Sequence, residues 1–198
     1  MAEDADVSSV AIDLSRLHRR TLTSFYSNLV TRPTGRAVRM GVESQLADLD
    51  PSDRACLSVL DFSQVQVLDY SCADEVVAKL LLRYMRDDRP ADAFFIARGL
   101  HEHHLEAVEA VLERHNILLV TEEDRGPTRL LGPSNPFERA CWAAVALRGQ
   151  ATVSDVVEQT QLPESTVRPT LARLLAQRVL VDLGGDRLCD ICILARER

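Results

Sequence analysis

Ser58-Val59-Leu60-Asp61-Phe62-Ser63, followed after a short connector by Val67-Leu68-Asp69-Tyr70-Ser71-Cys72-Ala73-Asp74-Glu75, reads as a buried strand that delivers a serine to the first turn of a helix. Ser58 to Phe62 is a short apolar run between polar residues, as a central strand covered on both faces requires. Ser71 suits the N-cap, and Asp74 and Glu75 fall in the first turn, where the helix dipole favours negative charge. Asp74 stands at the capping-box position with a short side chain, and Glu75 stands one residue beyond it. Val76, Val77, Leu80, Leu81 and Tyr84 then recur at helical spacing to about Arg86. A hydroxyl at a helix N-terminus is well placed to receive phosphate, because the backbone N–H groups there favour it. The plainer use of Ser71 is capping alone.

Outward from this stretch, strands and helices alternate. Val10-Ala11-Ile12 and Phe25 to Val30 are candidate strands, and Gly35 to Leu46 is a helix with Val38, Val42 and Leu46 on one face. Ala93 to Ala97 is a further buried strand, and His101 to His115 a helix with the stripe Leu105, Val108, Val111 and Leu112. Ile117 to Val120 is a strand that Arg129-Leu130-Leu131 pairs with across the Gly126-Pro127 turn. Such alternation implies an α/β layer structure with right-handed crossovers. Gly132-Pro133-Ser134-Asn135-Pro136 is rich in breakers and is expected to divide the chain into residues 1–132 and 133–198.

The second part reads differently. Phe137 to Leu147 is an alanine-rich apolar helix, Thr152-Val153-Ser154-Asp155 opens a short helix to Thr160, and Gln161-Leu162-Pro163 turns the chain. A helix from Glu164 to Gln177 follows, then a hairpin: Val179 to Leu183, a Gly184-Gly185-Asp186 turn, and Leu188 to Leu194.

Composition fits a folded chain of 198 residues, with 46% hydrophobic and 27% charged residues. No apolar stretch is long enough to cross a bilayer and the start is polar, so a cytoplasmic protein without membrane contact is expected. Five cysteines, an odd number, point to free thiols. The net charge of −7 argues against non-specific nucleic-acid binding by the whole chain. Residues 133–198 hold eight acids and eight bases, so the whole excess lies in the first part.

The opening stretch resembles the STAS family, the anti-sigma-factor antagonists, in which a strand ending in Asp leads through Asp-Ser-Ser-Gly into a helix. Asp69-Tyr70-Ser71-Cys72 overlies that motif, and the resemblance implies a phospho-acceptor at Ser71; Cys72 stands where typical members have Gly. The match is closer to a STAS-like variant with the pattern "DFSGV…SFADE", here Asp61-Phe62-Ser63-Gln64-Val65 and Ser71-Cys72-Ala73-Asp74-Glu75. Thr31-Arg32-Pro33-Thr34-Gly35-Arg36-Ala37-Val38-Arg39 is similar to that variant's "SRxxGRxxR" helix entry. The resemblance spans about residues 27–122 and implies a protein partner, such as an ATP-dependent serine kinase of the anti-sigma type, docking at Asp69, Tyr70, Asp74 and Glu75. The tail, about residues 137–195, resembles a winged helix-turn-helix. That implies DNA contacts by the outward residues Ser165, Thr166, Arg168 and Thr170 of the third helix, then Arg173, with Arg187 on the wing. Val167, Leu171, Leu174 and Leu175 face the core instead. A module of zero net charge without lysine suits protein docking or homodimerisation as well, since phosphate neutralisation dominates DNA affinity.

Other constellations weigh less. His101-Glu102-His103-His104 lacks the second histidine position of a zincin and reads as a solvated helix start. Cys189 and Cys192, three apart in a strand, point to opposite faces and make no metal pair. An enzyme would need a pocket near Ser71, the Arg32/Arg36/Arg39 cluster and the histidines. With no phosphate-cradling glycine loop and no nucleophile–base pairing, the expectation is a non-enzymatic regulator without cofactor or metal.

Overall fold

The computed structural model describes residues 17–23, 27–47, 55–123 and 127–192. The strand expected at Val10 to Ile12, Phe25, and the last residues of the expected hairpin lie outside them. Five strands form the main sheet in the order β1-β3-β5-β6-β7: β1 (Leu17–Thr23), β3 (Ala55–Asp61), β5 (Ala93–Arg98), β6 (Leu119–Glu122) and β7 (Thr128–Leu131). The first four run parallel, and β7 closes the edge antiparallel to β6 with Leu119 opposite Leu131. The fold is mixed α/β.

β3 is buried from Ala55 to Leu60, as its unbroken apolar run demands. Alternate side chains go to opposite faces. Cys56 and Leu60, with Phe95, Ala97 and Leu119, pack beneath α1 (Arg32–Ala47), the Ser71 helix and α4 (Glu102–His115). Leu57 and Val59, with Phe94, Ile96, Leu118 and Val120, form the other face.

That second face is covered by the rest of the chain. α5 (Pro136–Arg148) starts at Asn135, whose side chain caps the Glu138 N–H at 2.9 Å while the Glu138 carboxylate accepts the Asn135 N–H. β8 (Gln150–Thr152) leads into α6 (Val153–Thr160), capped reciprocally by Thr152 and Asp155. α7 (Glu164–Ala176) continues past Pro169. β9 (Leu180–Gly184) and β10 (Arg187–Asp190) complete a small antiparallel sheet in the order β8-β10-β9. Gly184, Gly185 and Asp186 all have positive φ, the left-handed backbone that a tight turn needs. Cys189 and Cys192 are both buried.

One apolar cluster therefore crosses the Gly132–Pro136 segment, joining Leu57, Phe94 and Leu118 to Trp142, Leu174 and Leu180. Polar bonds reinforce it. Gln177 accepts the Leu118 N–H at 2.9 Å and donates to the Asn116 carbonyl at 3.2 Å. Arg178 pairs with Asp92, donates to the Ala93 carbonyl at 3.1 Å and stacks its guanidinium 4.0 Å from the Phe94 ring centre. Among the described residues, no helix is long and apolar enough to cross a membrane.

Candidate functional site at the Ser71 helix tip

β2 (Asn28–Leu29) and β4 (Val67–Leu68) pair in parallel above the main sheet and deliver the chain to α2 (Tyr70–Ala73). The sequence suggests Ser71 as N-cap, but the cap is Asp69. The Asp69 N–H donates to the Leu29 carbonyl at 2.8 Å, which fixes Asp69 in an extended conformation. Its carboxylate then accepts the Ser71 N–H at 2.7 Å and the Ser71 hydroxyl. Those two bonds hold the exposed Asp69 carboxyl below the usual carboxylate range. Ser71 is half-exposed, and Tyr70 is half-buried with its hydroxyl accepting from Arg114 at 3.0 Å.

The helix expected from Ser71 to Arg86 is not uniform. After α2 it widens into a π-helical segment, Asp74–Lys79, before α3 (Leu80–Met85) resumes the tighter winding. Segments of this kind are rare and concentrate at functional sites. Here the segment carries Asp74 and Glu75, which the STAS-like resemblance implies as docking residues for a partner. Both are buried, at 5% and 3% exposure, and their charge is met inside the molecule. Arg32 donates to Asp74 at 2.7 Å and to Glu75 at 3.0 Å. Arg39 lies 3.3 Å from Glu75, Lys79 pairs with both carboxylates, and the His115 ring meets Asp74 at 2.8 Å. Burial alone would raise both carboxyl pKa values, but these partners reverse it; Asp74 is held down to about 2 and Glu75 is lowered in the same direction.

Two signals in the sequence foreshadow this ring of cations, which reading the motif alone misses. Arg32 and Arg39 are two helical turns apart and share a face, and Glu75 and Lys79 form an (i, i+4) pair. The helices cross closely because Gly35 and Cys72 meet there. Cys72 is buried, its thiol donates to the Thr31 carbonyl at 2.8 Å, and burial pushes its pKa up.

The residues expected to read DNA divide into two groups. Ser165, Arg168 and Arg187 are exposed. Arg168, however, bonds Glu164 at 2.6 Å and lies 3.5 Å from Asp186 on the wing turn. Thr166 is half-buried, and its carbonyl accepts the Thr170 hydroxyl at 2.7 Å. Arg173 does not continue the outward face: it turns to the buried Glu138 at 2.8 Å and to the Asn116 side chain at 3.3 Å. Between α7 and the wing lies a cleft of about 380 Å³ floored by Val153, Leu171 and Leu188.

The histidines also differ from the expected solvated helix start. His101 and His103 are exposed, but His104 is fully buried. Among the described residues, no three His, Cys, Asp or Glu side chains are placed to hold a metal ion. No protein-family model matches the chain, and no curated protein or solved structure matches it either.

Proposed function

We propose that this chain is a non-enzymatic regulator of the STAS-like kind, in which the Ser71 helix tip is a switch surface for a protein partner and the α7–wing surface is the output. The observation that carries the reading is half-exposed Ser71 opening a helix whose next turn holds two buried carboxylates, Asp74 and Glu75, met by the partly exposed cations Arg32 and Lys79. A phosphate on Ser71 would add about −1.5 to −2 charges next to Asp69. It would compete with Asp74 and Glu75 for Arg32, loosening the α1–α2 contact and repelling an acidic partner. A serine kinase of the anti-sigma type is the partner the STAS-like motif suggests.

The test is recovery of the tagged protein from its host, with mass spectrometry for phosphate, using wild type, Ser71→Ala and Ser71→Asp. Ser71→Asp should retain the partner set of the phosphorylated protein, and Ser71→Ala that of the unmodified one. Equal partner binding by all three removes the switch.

For the output, the winged-helix resemblance suggests a DNA-binding regulator of transcription. A docking surface for a protein, or for a second copy, is the alternative, favoured by the engagement of Arg168 and Arg173 with acids of the same chain. Fluorescence anisotropy with mixed duplex DNA at low salt separates them. DNA binding should weaken in Arg187→Ala and fall steeply with added salt, whereas a docking module gives no signal at all.

A further inference from the structure

His101, His103 and His104 gather on the first turn of α4, with ring centres 5.6 Å (101–103), 5.5 Å (101–104) and 4.0 Å (103–104) apart. The Nδ1 of buried His104 accepts the backbone N–H of His101 at 3.2 Å. In the neutral ring that bond leaves the proton on Nε2, which is buried without a hydrogen-bond partner. His103 Nε2 meets the Gln66 carbonyl at 3.0 Å. The triad thus braces the loop between β3 and β4. The same loop is held from behind, where the Gln66 and Val67 N–H groups both donate to the Ser27 carbonyl at 2.7 and 3.2 Å.

This arrangement needs a neutral His104, whereas His103 donates to the Gln66 carbonyl whether its ring is neutral or charged. Protonated His104 would turn a second donor toward the His101 N–H and place a charge at the positive end of a helix dipole. Burial, then the neighbouring rings of His103 and His101, lower its proton affinity, while the backbone of Gln66 and Val65 pulls weakly the other way. The charged groups that share a cleft with the exposed His101 are Glu109, Glu122, Glu123 and Arg129, the last paired with Glu123. The loop from Phe62 to Val67 has no ionisable side chain. Asp61 at its start is paired with Arg98, and Asp69 beyond its end is bonded to Ser71. Asp74 meets α4 only at the opposite end, through His115, and Arg114 there bonds Tyr70. Glu102, on the same turn, is exposed.

We infer that the triad is an acid-released clamp: with His104 neutral it locks the first turn of α4 to the β3–β4 loop, and protonation of His104 opens that turn and frees both together. The clamp does not depend on what Ser71 does, although the freed loop is the one that leads to it.

The test is a titration of the full chain from about pH 7.5 to pH 5, following the histidine ring nitrogens by NMR and the amide hydrogen exchange of Val65, Gln66 and Val67. Corrected for intrinsic rates, loop exchange should rise by up to about tenfold for each pH unit as the pH falls below the ordinary histidine range, and level off once His104 is protonated in the clamped state, while the amides of β3 and β5 stay protected. His104→Asn keeps an acceptor near the His101 N–H and cannot titrate, so it should flatten the response. Loop exchange that ignores pH, or follows it equally in His104→Asn, overturns the clamp. Should His104→Asn fail to fold, the wild-type ring decides: loop exchange must rise as His104 takes up its proton. A His104 that protonates with no change in loop exchange overturns the inference.

Discussion

A methyl group on Gly35 of α1 would stand 2.9 Å from the Cα of Cys72 and 3.2 Å from its carbonyl oxygen, so the two helices touch backbone to backbone at this pair. The Gly35 N–H and the Cys72 thiol both donate to the Thr31 carbonyl, at 3.0 and 2.8 Å. The clash is with main chain, which cannot swing aside. Gly35→Ala should therefore destabilise the protein by about 1–3 kcal/mol, as overpacking does. Gly41 on the same helix meets nothing within 4 Å, and Gly41→Ala should stabilise by about 0.5–1 kcal/mol. Urea denaturation of both variants measures the contrast, and equal stability would mean the crossing opens at no cost.

The buried Asp74 sets an acid limit. Its carboxyl is held at about 2 against an ordinary 3.8, so above about pH 5 it is ionised in folded and unfolded chains alike and its full contribution is present. As the pH falls from about 5 toward 2, the unfolded chain takes up a proton that the folded one refuses. About 2 kcal/mol should be lost across that window. Asp74→Asn should be less stable at neutral pH and should lack this part of the decline, as denaturation curves between about pH 2 and pH 7 would register.

Arg178 fastens the C-terminal layer to the sheet through Asp92, the Ala93 carbonyl and the Phe94 ring. Arg178→Ala should cost about 3 kcal/mol, combining a charge-assisted hydrogen bond with a shielded cation–π contact. Arg178→Lys should recover less than half of that, because an ammonium lacks the planar fork that bonds and stacks at once. Full rescue by lysine would show that charge alone matters here.

All five cysteines are buried, and none forms a disulfide. In native protein, a thiol reagent should label them slowly, at a rate set by opening of the fold, and all five at once in denaturant. A fast stoichiometric fraction in native protein would mean that one thiol reaches solvent.

The β3 run and the apolar stripe of α4 are legible in the sequence because each carries its own period. The helix–hairpin order of the tail is legible because capping and turn residues mark its ends. β1 is not: Leu17-His18-Arg19-Arg20-Thr21-Leu22-Thr23 has no strand alternation, and it is a strand through its parallel register with β3. Asp69 and Ser71 are both good caps two residues apart, and a distant bond to Leu29 chooses between them. Asp74 and Glu75 look like solvated acids because the arginines that neutralise them stand some forty residues earlier. Arg173 reads as part of an outward face until Glu138, from another helix, claims it.

The strands that carry Leu57, Phe94 and Val120 on one side carry Leu60, Phe95 and Leu119 on the other. A chain cut after Gly132 would turn a dry wall into a wet one, and the severed piece should clump or seize whatever grease it meets. Any push on the serine side thus has only one sheet's thickness to travel before α7 feels it.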